Sequence, residues 1–222
     1  MASHWPLLAM NNPATGANQV ILFTSKQCPH CPAVSKILKQ LDQEGKLASL
    51  DIFDISKEHA LAEKYQVRSV PWFKIADLEF QGLHSSGEIS YWSEKAAEEE
   101  GILRYLIENL EAGKLMQMES LIKLHPSWLN IALHILADVT APIQARIGLG
   151  AVIEGLANTE LLEGVLPTLE KLTQHEDHRV RGDACHYLGF IATAKSKEII
   201  ERCLGDEHAE VREIAEESLE NF

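Results

Sequence analysis

Several features are scarce in this 222-residue sequence, and each scarcity excludes a class of protein. Cysteine occurs four times, too rarely for a fold that depends on many disulfides. No run of about 18 apolar residues exists, so we expect no transmembrane helix and no membrane partner. Lys and Arg total 20 against 33 Asp and Glu, without a basic cluster, so we expect no nucleic-acid partner.

The start of the chain also lacks a targeting signal. Residues 1–12 carry neither the basic segment nor the long apolar segment of a signal peptide, which predicts a cytoplasmic location if the chain is complete. Residues 1–16 contain Pro6, Pro13 and Gly16 and are predicted to form an irregular N-terminal arm. With 45% apolar and 24% charged residues, the remainder is long enough for two globular domains.

A Cys-x-x-Cys motif, Cys28 and Cys31, separates two segments of different periodicity. The apolar run 20–23 predicts a buried strand before it, and apolar positions 34, 37, 38 and 41 predict a helix after it. Free N–H groups and the dipole at a helix start stabilise a thiolate. We expect a redox-active Cys28–Cys31 disulfide, with no metal and no other cofactor. A structural disulfide and a zinc site are the alternatives.

A second signal lies some forty residues further on, at Pro71. Residues 65–70 indicate the end of a helix and a tight connection, and a strand-like segment begins at Trp72. Because proline cannot donate to a strand ladder, Pro71 predicts an edge position or a cis peptide bond. Trp72 is either a ring beside the active-site groove or the first core residue of that strand.

These segments together resemble the thioredoxin superfamily over about residues 17–112. The resemblance implies that Cys28 is the nucleophile and Cys31 the buried resolving thiol. It also implies a cis-proline at Pro71 facing the two cysteines, and it implies that Val70 offers backbone groups to a bound peptide or mixed disulfide.

The Cys-Pro-His-Cys tetrapeptide is the one found in bacterial disulfide oxidases of this superfamily. Pro29 suits a helix start. His30 can place a partly cationic ring near the first sulfur, which favours the thiolate and makes the disulfide more oxidising. The sequence departs from the family at Leu22, where a buried acid is usual. It departs again at Gln27, where thioredoxins carry tryptophan, and at Trp72, which takes the place of a small polar residue.

The order of predicted elements supports an α/β thioredoxin-like domain over residues 17–113. Strands are predicted over 20–24, 47–55, 72–75 and 78–82, and helices over 32–44, 57–65 and 90–110.

Residues 114–222 lack any convincing strand and predict an all-α domain. The pair Val180-Arg181 recurs 31 residues later as Val211-Arg212, each followed by Ala and Leu at matching positions, and a weaker copy surrounds Arg146. The pattern resembles HEAT repeats, which implies stacked helix pairs in a short solenoid. The resemblance also implies that Arg181 and Arg212 bond neighbouring repeats.

Other residues that could carry chemistry lie in this helical part. Cys185 and Cys203 are expected to be buried, with a redox partnership to the motif as an alternative. Four histidines are scattered near helix junctions, and we expect no metal cluster among them: His175, His178, His186 and His208.

The sequence therefore predicts an enzyme, a thiol–disulfide oxidoreductase whose substrate is a protein thiol or disulfide. The HEAT-like domain is predicted to bind a protein partner. The alternative function is a scaffold, adaptor or chaperone-like binding protein with a weakly active redox domain, which the missing acid at Leu22 favours. The direction of electron flow and the electron donor stay open.

Overall fold

The computed structural model describes residues 18–222. The predicted arm over 1–16 lies outside these residues. The chain packs as two units, the first ending at Gly101 and the second running from Ile102 to Phe222. The expected domain boundary after residue 113 stays a prediction.

A four-stranded mixed sheet organises the first unit. In the order β2-β1-β3-β4, β1 pairs parallel with β2 and antiparallel with β3, and β3 pairs antiparallel with β4. The strands are β1 (Asn18–Thr24), β2 (Leu47–Asp54), β3 (Trp72–Ile75) and β4 (Leu78–Gln81). The helices up to the unit boundary are α1 (Cys31–Gln43), α2 (His59–Lys64), α3 (Ser86–Lys95) and α4 (Glu99–Glu111), of which α4 crosses it.

Alternation along the central strand β1 divides the core between the two faces of the sheet. Phe23 pairs with Trp72 on β3, and both pack with Ala62 of α2 on one face. Leu22 pairs with Phe73, and both side chains are fully buried. The strand that leads to the cysteines is therefore held from both sides.

The predicted single helix over 90–110 is wrong, because the chain breaks between α3 and α4. The capping box of Ser85 and Glu88 starts α3, which ends at Lys95. A Cβ on Gly101 would lie 1.9 Å from the carbonyl oxygen of Lys95, so the first turn of α4 approaches the end of α3 too closely for any side chain. Helical periodicity continues across the break, which hides it from the sequence.

The second unit contains helices only, among the described residues. They are α5 (Leu115–Leu124), α6 (Ser127–Ala137), α7 (Ile143–Gly155), α8 (Glu160–Glu163), α9 (Leu166–Leu172), α10 (His178–Gly189), α11 (Ala194–Cys203) and α12 (Ala209–Leu219). Helical spacing over residues 160–174 predicts one helix, which is wrong, because Pro167 lies in the first turn of a separate helix, α9. The predicted fold class, a thioredoxin-like domain followed by a HEAT-like helical domain, is confirmed.

Arginines at equivalent repeat positions bond backbone carbonyls in the same way. Arg146 donates to the carbonyls of Leu136 and Asp138, Arg181 to those of His175 and Glu176, and Arg212 to those of Asp206 and Glu207. Arg181 also binds the Asp206 carboxylate through two hydrogen bonds of 2.8 and 2.9 Å. The prediction that Arg181 links neighbouring repeats is confirmed. The hydrogen bonds of Arg212 go instead to the turn before its own helix, α12. Among residues 18–222 no helix is long and apolar enough to cross a membrane.

Candidate active site

The Cys-x-x-Cys motif occupies the turn between β1 and α1. The N–H of Cys28 donates to the carbonyl of Ser25 at 3.2 Å, which turns the chain sharply after the strand. Helix α1 begins at Cys31, and the helix-type bond from Val34 N–H to the carbonyl of His30 closes its first turn at 3.4 Å. Pro29, predicted within the first turn, therefore precedes the helix.

The two sulfurs are bonded to each other, with the Cα atoms of Cys28 and Cys31 5.5 Å apart. Their surroundings differ: Cys31 is 1% exposed, whereas Cys28 is partly open to solvent. The N–H of Cys31 points at the sulfur of Cys28 at 3.1 Å. A backbone donor at a helix start stabilises negative charge on that sulfur, so the accessible cysteine is also the one better placed to be a thiolate.

Pro71 lies at this turn, although it is some forty residues away in the chain. The Val70–Pro71 peptide bond is cis, and the carbonyl oxygen of Val70 lies 3.4 Å from the sulfur of Cys28. The N–H of Gly82 donates to the carbonyl of Pro71 at 2.8 Å, which connects this turn to the end of β4. The structure thus brings together Cys28, Cys31, Val70 and Pro71 as the sequence predicted.

Burial distinguishes between the two interpretations of Trp72. Its side chain is 2% exposed and packs edge-on against Phe23, with ring centroids 5.6 Å apart, and beside Tyr65 at 5.7 Å. A ring this buried offers no surface to a substrate, so any contribution to the site comes from the core behind Pro71.

Pro29 and His30 stand between the two cysteines in the chain, and both are exposed. His30 is the residue that precedes α1, and its side chain makes no capping hydrogen bond. Its ring is therefore not committed to closing the helix. The sequence did not single out Ser25 or Gly82, whose backbone groups shape the turn. Their position directly after a strand was the one signal available.

The cysteines of the helical unit form a separate environment. Cys185 and Cys203 are both buried. The neighbouring Cys203 thiol, together with burial, holds the pKa of Cys185 well above its ordinary value. A thiol that stays protonated is a poor nucleophile. The contact with Cys185 lowers the pKa of Cys203, but that side chain is also buried. Burial therefore keeps both thiols of the helical unit away from a substrate, whereas Cys28 is partly open to solvent.

Comparisons with known proteins agree with both parts of this description. Residues 19–100 match a family model described as a Glutaredoxin-like domain, and residues 142–220 match one described as HEAT repeats. Over 66 residues the chain is 32% identical to a thioredoxin of Methanocaldococcus jannaschii. That match covers 29% of this chain and 78% of that thioredoxin.

The chain belongs to the thioredoxin-like superfamily, and HEAT repeats follow its thioredoxin-like domain. The fold, the cysteine pair and the family together support a redox type of activity. They also support protein–protein interaction as a general property of the two domain types.

Proposed function

We propose that this protein is a thiol–disulfide oxidoreductase that acts on protein substrates through Cys28 and Cys31, and that its HEAT repeats bind the partner. The observation that carries the proposal is the pair of contacts at one sulfur. Cys28 receives the N–H of Cys31 at 3.1 Å, and the carbonyl of Val70 lies 3.4 Å away. The N–H of Cys31 can therefore stabilise a thiolate at Cys28. The backbone of Val70 lies beside the same sulfur, where it can align a peptide.

Reduction of a substrate proceeds in two exchanges. The Cys28 thiolate attacks one sulfur of the substrate disulfide, a mixed disulfide forms, and the other substrate sulfur leaves as a thiolate that takes up a proton. The Cys31 thiolate then attacks the Cys28 sulfur, which closes the Cys28–Cys31 disulfide and releases the second substrate thiol. Two electrons and two protons pass from the cysteine pair to the substrate, and the reverse sequence donates the disulfide.

Val70 gives the mixed disulfide a place to form. Its carbonyl faces Cys28, and Val70 lies before the first residue of β3, so it belongs to no strand of the sheet. An extended peptide segment around the substrate cysteine can add backbone hydrogen bonds at this edge, as in strand addition to a sheet. A protein disulfide in an accessible, extended segment is the substrate that this arrangement fits.

The buried side chain at Leu22 favours the second candidate function, a binding protein with slow redox turnover. Leu22 is fully buried in β1, and a leucine cannot accept a proton from Cys31. The second exchange then depends on solvent to deprotonate Cys31, which slows release of the mixed disulfide near neutral pH. A long-lived mixed disulfide would suit a protein that holds its partner.

The deciding experiment compares the wild-type chain with Cys28→Ser and Cys31→Ser. Alkylation of the reduced wild type at pH 6 should label Cys28 well before the other three cysteines, because Cys28 is both accessible and stabilised as a thiolate. Catalysed reduction of a protein disulfide should disappear in both variants. Cys31→Ser should accumulate mixed disulfides on Cys28, since the resolving thiol is missing.

Cys203→Ala provides the matched control, because it removes a cysteine of the helical unit and leaves the motif intact. Its turnover should equal that of the wild type. Equal labelling of all cysteines, or turnover that survives Cys28→Ser, would overturn the assignment. Stoichiometric trapping without turnover in the wild type would favour the binding protein instead.

A further inference from the structure

Three metal-ligating side chains meet at the N-terminal ends of two helices in the HEAT-repeat unit. His178 is the first residue of α10, His208 directly precedes α12, and Glu210 is in the first turn of α12. One ligand atom from each of the three lies within 4.8 Å of the others. Stacking of the repeats brings them together across about thirty residues of sequence.

The two imidazole rings are stacked, with centroids 3.7 Å apart and planes inclined by 20°. The Nε2 atom of His178 lies 3.7 Å from a carboxylate oxygen of Glu210, too long for a hydrogen bond. The Nδ1 atom of His208 is buried, and no donor or acceptor among residues 18–222 reaches it. A buried nitrogen without a partner costs free energy unless a ligand satisfies it.

The role of a helix cap does not account for His208. The equivalent position before α10 is Asp177, whose carboxylate accepts the N–H of Arg179 at 2.9 Å. His208 stands where that capping aspartate would be and makes no capping hydrogen bond with its side chain. The repeat therefore carries an imidazole where helix stability would favour a carboxylate or hydroxyl.

The charges around the cluster do not exclude a cation. The arginines beside it are each paired with an acid: Arg179 with Asp177, and Arg146 with Asp183. Glu210 adds a carboxylate that is 62% exposed. A hollow of about 410 Å³ borders the cluster on the side of His178 and Glu210, which is enough space for an ion with water ligands. His208 is not among the residues that line this hollow, so its ring must turn towards it to bind the ion.

We propose that His178, His208 and Glu210 bind a divalent cation of the zinc class. Two imidazoles and one carboxylate suit Zn²⁺, and water completes the tetrahedron. Ligand bonds of about 2.1 Å require donor atoms roughly 3.4 Å apart. Atoms that are now up to 4.8 Å apart must therefore approach each other by as much as about 1.4 Å. The rings must also rotate out of their stack to aim both lone pairs at one ion.

The bound ion would join the start of α10 to the start of α12. It would satisfy the buried nitrogen of His208 and hold the last two repeats together. This site is independent of the redox chemistry proposed above, because none of its ligands lies in the thioredoxin-like unit.

The test titrates the full-length protein with Co²⁺ while Cys28 and Cys31 are held as the disulfide, so that the motif cannot bind metal. We expect one Co²⁺ per chain, displaced by Zn²⁺, with the visible absorption of a tetrahedral ion and no sulfur-to-metal charge transfer. The variants His178→Ala and Glu210→Gln should each weaken Zn²⁺ binding by about tenfold or more. Glu210→Gln changes an exposed side chain and should leave the fold intact.

His186→Ala is the matched control, since His186 lies on α10 but outside the cluster, beside Tyr187 and Phe190. It should bind metal as the wild type does. The proposal is overturned if the wild type shows no saturable 1:1 binding or if the Co²⁺ spectrum shows thiolate ligands. It is also overturned if His186→Ala weakens binding as much as His178→Ala, or if Glu210→Gln binds as tightly as the wild type.

Discussion

Two cysteines three positions apart have different surroundings, and single residues decide how each behaves. Cys28 is partly exposed and receives the N–H of Cys31, while the Cys31 side chain itself is 1% exposed. The identity of the residues around them then tunes the balance between dithiol and disulfide. We expect His30 to affect the reduction potential of the cysteine pair and Leu22 to affect the rate of the second exchange.

His30 is expected to make the disulfide more oxidising. An imidazole two residues after Cys28 can stabilise the thiolate and hence the reduced form. His30→Ala should therefore shift the reduction potential to a more negative value by tens of millivolts, where about 30 mV corresponds to about 1.4 kcal/mol. Equilibration with glutathione measures the shift. His59→Ala, an exposed histidine of α2, serves as the control and should leave the potential unchanged.

At the scale of elements, the break between α3 and α4 depends on a glycine. Gly101→Ala should destabilise the protein by about 1–3 kcal/mol, because the new methyl group would collide with the backbone carbonyl of Lys95. Gly87→Ala within α3 meets nothing within 4 Å and should be neutral or slightly stabilising. Denaturant unfolding followed by circular dichroism measures the free energy of unfolding of each variant. Similar losses in both variants would contradict a steric role for Gly101.

The repeats are joined by a largely buried ion pair between Arg181 and Asp206, whose side chains are 9% and 11% exposed. Asp206→Asn should cost the helical unit up to about 3 kcal/mol, since the largely buried Arg181 guanidinium would keep only the weaker contact with Glu207 at 3.5 Å. Thermal unfolding of the full chain measures this loss. Glu163→Gln, which changes an exposed side chain of α8, is the control and should change stability little.

The same pair predicts a pH dependence. The hydrogen bond from Arg181 lowers the pKa of Asp206 from its ordinary value, against the opposing effect of burial. A carboxyl whose folded pKa is depressed contributes stability above its unfolded pKa, about 3.9. That contribution is lost as pH falls through the folded value. Between pH 6 and pH 3 the wild type should thus lose more stability than Asp206→Asn, and equal losses would contradict the linkage.

At the scale of the whole molecule, charge is the property that predicts a partner. Residues 114–222 carry 18 acidic residues against 10 Lys and Arg, a net charge of −8. Such a surface should attract proteins with basic patches, and the attraction is screened by salt. The affinity for proteins trapped by Cys31→Ser should fall as the salt concentration rises from 50 to about 500 mM. Affinity that does not change with salt would argue against an acidic docking surface.

Truncation is a poor way to test whether the helical unit binds the partner while the thioredoxin-like unit carries the redox activity. The second unit begins at Ile102, so a chain shortened to residues 1–113 would remove the packing around Tyr105 and Leu106 of α4, both almost completely buried. Charge substitutions in the full chain avoid that loss. Neutral variants of exposed acids on α12, such as Glu213→Gln and Glu217→Gln, can be compared with Glu99→Gln in the first unit.

The sequence alone determined the elements that depend on local pattern. The apolar run 20–23 and the strand-like segments after it predicted the strands of the sheet, and helical spacing predicted α1. Internal similarity predicted the repeats around Arg181 and Arg212. The Cys-x-x-Cys motif between a strand and a helix predicted the chemistry of the site. Such patterns can be recognised because the buried face of a single strand or helix is formed by residues that recur at a regular spacing in the sequence.

Only the tertiary structure decided what depends on contacts between distant segments. Gly101 breaks a continuous helical pattern because Lys95 lies against it, and Trp72 belongs to the core because Phe23 and Tyr65 enclose it. His178 and His208 are unremarkable in the sequence and stack in the fold. The spacing of residues along the sequence contains no information on these contacts. They arise from the way in which separate elements pack against each other, and not from the hydrophobic period of a single element.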